Sequence, residues 1–183
     1  GSRAALRQFR AQSRGVLVNV GSALGVVATP LLTAYVASKF AVRGFSDALR
    51  MELLNDPDIH VCTVLPASVS TPLWDFAGNY TRRALRPIPP VYTPVHIAGV
   101  VVGALEDPKP QLTAGGFGWV MRASRLLPHR VLDPIVARLA QFALGAPGVE
   151  PTSGNIVDPP PEDVPRALAR AKPVLPSVWK MHR

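Results

Sequence analysis

The sequence predicts an α/β fold: a partial, doubly wound parallel sheet followed by a helical C-terminal extension. Three observations carry that reading. Two continuous apolar runs, GVLVNV (15–20) and IHVCTVLP (59–66), read as strands buried on both faces, the kind that parallel sheets contain. Thr33–Leu54 lies between them and has the length and periodicity of a crossover helix. An apolar share of 48% against 17% charged residues suits a globular chain of 183 residues with a real core.

The elements follow in order. Residues 1–14 read as the end of a helix, with Ala4, Leu6 and Phe9 on one apolar face and arginines suited to a C-terminus. GVLVNV is the first strand, and GSALGVVATPLL is a loop. Thr33–Leu54 is the long helix, its expected core face made of Phe40, Ala41, Phe45, Ala48, Leu49 and Leu53. Asn55–Asp58 is a turn, and 59–66 is the second strand. Strand, long helix and strand together make a βαβ unit.

Beyond Pro66 the pattern loosens. Of twenty prolines, only Pro30 and Pro57 precede Pro66, so loops and short elements are expected there. Residues 68–92 form a long segment of weak periodicity, which in a compact domain is functional or mobile. Residues 95–107 read as a helix and PQLTAGG as a short third strand. Trp119–Leu144 is mostly helical, with expected interruptions at Pro128 and Pro134. The expected division is 1–116 for the α/β part, 117–144 for the helical extension and 145–183 for a proline-rich extended tail.

The net charge is +8, but the basic residues are dispersed and only Arg82 and Arg83 are adjacent. That favours a solvated surface or an anionic cofactor over nucleic acid, and no nucleic-acid partner is expected. Cys62 is the one cysteine, so neither a disulfide framework nor a zinc set is available, and it reads as a core residue. His96 and His129 are isolated and need no metal role. With no leader pattern and no apolar run of membrane-span length, the cytoplasm is the expected compartment.

The chemistry centres on AYVASKF. Tyr35 and Lys39 are four apart on a helix and share a face. A nearby ammonium favours the ionised phenol, so Tyr35 could exchange a proton at neutral pH. Ala37 and Ser38 are small enough to let a ligand lie close. Ser22 sits just past the C-terminal end of the first strand, the rim where open α/β sheets bind ligands. It can donate to a developing oxyanion, or simply cap the loop. The segment LPASVSTPL ends the second strand at the same rim.

These residues resemble the short-chain dehydrogenase/reductase family. The match lies in NVGS with Ser22, Tyr35-Val-Ala-Ser-Lys39, and Pro66-Ala-Ser-Val-Ser-Thr71-Pro72, in that order and spacing. It runs from residue 1 to about Gly116, and more loosely beyond. The resemblance implies a Rossmann-like sheet and NAD or NADP as cofactor. It implies Tyr35 as proton donor in reduction, Lys39 on the nicotinamide ribose hydroxyls, and Ser22 on the substrate oxygen. Pro66, Ala67, Val69 and Thr71 would border the nicotinamide, with Ala23 and Trp74 beside the substrate. The implied partners are a small carbonyl or secondary alcohol and further copies of the same chain.

Two departures stand out. Ala67 occupies the position where the family carries glycine, which adds a methyl group beside the nicotinamide. No glycine-rich Gly-x-x-x-Gly-x-Gly turn follows a strand, so the pyrophosphate site of the family is absent from these residues. The expectation is the C-terminal portion of a longer enzyme. By itself it should bind dinucleotide poorly, with the inner edge of GVLVNV exposed.

Leu73–Pro90 falls where the family has its substrate lid. Trp74, Phe76 and Tyr80 suggest a hydrophobic substrate, and Arg82, Arg83 and Arg86 read as solvated, contact with an anionic substrate being the less favoured alternative. Trp119–Leu144 interleaves apolar residues with arginines and should pack on its own domain, cover the active site or meet a partner subunit, a membrane surface being the less favoured alternative. Two competing functions stay open: a non-catalytic relic used in assembly or membrane-surface association, and an epimerase or dehydratase reusing the same tyrosine and lysine.

Overall fold

The computed structural model describes residues 1–116 and 118–154. In chain order the elements are α1 (Ser2–Ala11), β1 (Gly15–Val20), α2 (Thr33–Glu52), β2 (Ile59–Pro66), β3 (Ser68–Val69), α3 (Leu73–Phe76), β4 (Arg83–Leu85), β5 (Val91–Tyr92), α4 (Pro94–Glu106), β6 (Gln111–Ala114), α5 (Gly118–Ser124), α6 (His129–Phe142) and β7 (Leu144–Pro147), with a 3₁₀ turn at Ala23–Gly25. They sort into two compact units. One holds residues 1–67 and 95–128; the other holds 68–94 and the residues from 129 onward.

The first unit is built on a parallel sheet in the order β1-β2-β6. The expected crossover is present: α2 links β1 to β2, with Gly15 opposite Ile59 and Val20 opposite Val64. Strand β2 is central and, apart from His60, buried along its length. Strand β1 departs from the expectation of full burial. It is half-buried because it pairs on one side only, as the edge of this sheet. The exposed inner edge anticipated for GVLVNV is therefore present among the described residues.

The core lies where α1 and α2 meet the sheet. Leu6, Leu49, Leu53, Ile59 and Val61 are buried together, with Phe9 and Leu17 packed against them. Phe9 lies over Gly15, where any Cβ would strike its ring. Ala4, expected on the same face of α1, is exposed instead. The chain leaves α1 through Ser13 in the left-handed region (φ 57°), and Arg14 N–H donates back to the Phe9 carbonyl.

Helix α2 corrects a second expectation. Leu49 and Leu53 face the core, but Ala41 and Ala48 are exposed and Phe40 and Phe45 are 36% and 50% exposed. The sheet-facing position is taken by Ser46, which is fully buried. Asn19 Nδ2 donates to Ser46 Oγ at 2.9 Å, and Ser46 Oγ donates to the Val42 carbonyl at 2.8 Å. A small hydroxyl residue lets the helix approach the strand. The phenylalanines would not fit there and turn outward.

The second unit is organised by Asn79. Its Nδ2 donates to the Arg83 carbonyl, its Oδ1 accepts from both Thr81 N–H and Thr81 Oγ1, and its main chain pairs with Thr152. Strand β4 pairs antiparallel with β7, and β3 pairs parallel with β5. Arg83, read from the sequence as solvated, donates instead to the carbonyls of Gly145 and Leu144. The start of the expected tail is thereby tied into a sheet; the tail beyond residue 154 lies outside the described residues. Helix α6 runs through Pro134 without the expected break. A proline six residues into the helix forfeits one hydrogen bond, to the Arg130 carbonyl.

Candidate active site

The site begins where β1 ends. Gly21 N–H donates to the Val64 carbonyl at 2.8 Å and carries the pairing one residue further. A side chain at Gly21 would stand 3.1 Å from Leu65 Cδ2, so the strand end approaches β2 closely. Ser22 follows in extended conformation and is 7% exposed. Its Oγ accepts from Leu24 N–H at 3.1 Å and caps the 3₁₀ turn, which leaves the hydroxyl proton free to donate. Ala23 opens that turn.

The turn is pressed onto α2. A Cβ on Gly25 would stand 2.7 Å from the Lys39 carbonyl oxygen, so only glycine fits. Arg43 Nη1 donates to the Gly25 carbonyl at 2.9 Å from one turn further along the helix. Packing and hydrogen bond together fix the Ser22 loop against the helix that carries Tyr35 and Lys39. Sequence reasoning missed Gly25 and Arg43. The available signal was a glycine three residues after Ser22 and an arginine four after Lys39.

On α2 the spacing of four puts the two side chains on one face. Lys39 Nζ stands 5.6 Å from the centroid of the Tyr35 ring. The same ammonium makes a long contact, 3.4 Å, to the Val20 carbonyl at the end of β1. It has no acidic partner among the described residues. Tyr35 is 38% exposed. Ser38 Oγ is turned back to the Tyr35 carbonyl at 2.7 Å.

Pro66 closes β2, and Ala67 N–H donates to the Ala114 carbonyl at the end of β6. Val69, Thr71 and Trp74 belong to the second unit. There β3 carries Val69 beside Tyr92, Ser70 N–H donates to the Tyr92 carbonyl, and Trp74 Nε1 donates to the Val69 carbonyl at 3.0 Å. Thr71 is half-buried in the connection between them. Ser22, Ala23, Tyr35, Lys39, Pro66 and Ala67 thus share the first unit, and Val69, Thr71 and Trp74 form a second group of their own.

Cys62 stays out of this chemistry. It is buried in β2, and burial pushes its thiol up from the ordinary value of 9.0, opposed by a backbone hydrogen bond from Lys109 and by the charge of Arg50. Among the described residues no helix is long and apolar enough to cross a membrane.

Comparison with known proteins points one way. Residues 1–79 match the family model for short chain dehydrogenase. The uncharacterized oxidoreductase YbbO of Escherichia coli (strain K12) is 34% identical over 135 residues, covering 67% of this chain and 48% of that protein. The uncharacterized oxidoreductase YxnA of Bacillus subtilis (strain 168) is 27% identical over 142 residues, covering 76% and 40% respectively. The chain therefore spans less than half the length of these curated relatives. A crystal structure of a short-chain dehydrogenase from Streptomyces avermitilis superposes with a TM-score of 0.56 at 25% identity, over 77% of this chain and 55% of that one. A Burkholderia cenocepacia J2315 short-chain dehydrogenase solved with NADP has the same fold, with a TM-score of 0.58 at 22% identity over 73% and 53% of the two chains. With the strand-end serine, the tyrosine and lysine one helical turn apart, and the parallel βαβ unit that carries them, the chain belongs to the short-chain dehydrogenase/reductase family.

Proposed function

We propose that this chain carries the catalytic part of an NAD(P)-dependent oxidoreductase that interconverts a carbonyl compound and a secondary alcohol. The observation that carries the reading is the Lys39 ammonium beside the Tyr35 ring, on a helix to which the Ser22 loop is fastened through Gly25 and Arg43.

In this reading Tyr35 holds the proton that passes to the substrate oxygen in reduction and returns in oxidation. Lys39 stabilises the negative charge that develops on the phenol as that proton leaves. Ser22 donates its remaining proton to the substrate oxygen and fixes its position. Ala23, which opens the turn after Ser22, borders the substrate.

The residues present suit the nicotinamide end of a dinucleotide. Among the described residues the Lys39 ammonium has one long carbonyl contact and no carboxylate, so donors remain for ribose hydroxyls. Pro66 and Ala67, at the end of β2, would lie on the carboxamide side. No glycine-rich pyrophosphate turn occurs in these 183 residues, so they supply only this end of a dinucleotide site. When bound, the nicotinamide supplies or accepts the hydride. Phe45, Met51 and Leu54, all well exposed on or just after α2, are surfaces that a second copy of the chain would cover in a homo-oligomer.

The test is transfer of label. The intact protein is incubated with nicotinamide cofactor deuterated at the hydride position and a panel of aromatic and aliphatic carbonyls. Deuterium appearing in the alcohol product supports the reading. Deuterium retained on cofactor with an isomerised product assigns an epimerase instead, and no turnover with any carbonyl or alcohol assigns a non-catalytic role.

A further inference from the structure

The first unit contains a cavity of about 420 Å³ lined by Val26, Arg43, Gln111, Arg125 and Leu126, with neither Tyr35 nor Lys39 in its wall. Val26 comes from the loop after β1, Arg43 from α2, Gln111 from the start of β6, and Arg125 and Leu126 from the residues after α5. Two guanidinium groups and a carboxamide therefore meet two apolar side chains around one space.

Countercharge is scarce there. Asp47 is the acid in reach among the described residues, and it is shared three ways. Arg50 holds it at 3.0 Å, Arg43 Nε lies 4.0 Å away, and Gln111 Nε2 approaches to 3.5 Å. Arg125 makes no ion pair among the described residues. Arg50 Nη1 is buried without an acceptor, so donors outnumber acceptors on this side of α2. Three guanidinium groups stand against one carboxylate. The Arg43 side chain is only 16% exposed, so its charge is poorly served by water. An oxyanion supplies what the cluster lacks, through charge-assisted hydrogen bonds.

We propose that this cavity binds a small oxyanion bearing a short apolar group, a carboxylate or a phosphomonoester. Arg43, Arg125 and Gln111 take the charged end, and Val26 and Leu126 take the apolar end. Arg43 also donates to the Gly25 carbonyl, so the bound anion and the loop that carries Ser22 share one guanidinium. The site is independent of the oxidoreductase reading, because no dinucleotide takes part.

The experiment titrates the intact protein, without cofactor, with inorganic phosphate, acetate and hexanoate, followed by calorimetry and by amide NMR shifts. Saturable binding of phosphate or of hexanoate is expected, with hexanoate tighter than acetate because of the apolar walls. Preference between phosphate and hexanoate identifies which oxyanion the site takes. Arg125→Ala should weaken binding about tenfold or more. It should leave the melting temperature unchanged, because Arg125 is exposed. Absence of saturable binding by either probe, or binding that Arg125→Ala leaves intact, overturns the proposal.

Discussion

Gly25 lies against the main chain of Lys39 so closely that a Cβ would stand 2.7 Å from the Lys39 carbonyl oxygen. This contact joins the loop of Ser22 to the helix of Tyr35 with no room for adjustment, because the obstructing atom is backbone. Gly25→Ala should therefore destabilise the protein by about 1–3 kcal/mol, the usual range for overpacking. Activity should fall further than stability, since the loop that must move carries Ser22. Urea denaturation and steady-state kinetics on the same variant check both halves. A loss below about 0.5 kcal/mol would show that the loop yields freely.

Arg43 holds the same joint from the other side. Arg43→Ala removes the donor to the Gly25 carbonyl, and the expected cost is on the order of 1–2 kcal/mol. Arg43→Lys should recover part of it, because one donor suffices for a carbonyl even though the geometry of the fork is lost. Chemical denaturation of the two variants side by side tests this, and equal losses would count against it.

Just before α2, Leu31 adopts φ 69° and is 60% exposed. A leucine in the left-handed region costs roughly 1–2 kcal/mol, with no packing here to offset it. Leu31→Gly should relieve that strain against some loss of chain entropy, for a net gain of about 0.5–1 kcal/mol. Leu31→Val, β-branched, should move the midpoint the opposite way. Thermal melts of both variants decide the sign.

The buried Cys62 thiol makes a pH prediction. Its folded-state value lies above the ordinary 9.0 because burial disfavours the thiolate. Between those two values the folded state binds more protons than the unfolded one. The contribution is thus fully present below pH 9 and is lost as pH rises through the folded value. Stability measured from pH 8 to 10.5 should fall, and Cys62→Ala should flatten that slope despite its own packing cost. Thiol reagents at pH 8 should react only after unfolding.

Several of these features were legible in the sequence for plain reasons. Strands β1 and β2 are continuous apolar runs bounded by glycine and by a turn, and α2 is too long and periodic to be anything else. The spacing of Tyr35 and Lys39 was enough to place the ammonium over the ring. The buried face of α2 was not legible, because two apolar stripes compete on it. Only the Asn19–Ser46 hydrogen bond shows that a serine, not a phenylalanine, faces the sheet. The pairing of β4 with β7 was hidden for another reason. It joins segments about sixty residues apart through Arg83 and the main chain, and neither segment carries a strand pattern of its own. The spacing of Gly25 from Ser22 was visible, but its role was not, since the atom that requires a glycine there belongs to Lys39.

The central claim concerns the phenol of Tyr35, and Tyr35→Phe in the intact protein tests it most directly. The ring and its contact with Lys39 are kept while the transferable proton is lost. The expected result is a fall in kcat of roughly 10²–10⁴-fold, with cofactor affinity and melting temperature close to those of the parent. A variant that turns over at nearly the parental rate would contradict the claim.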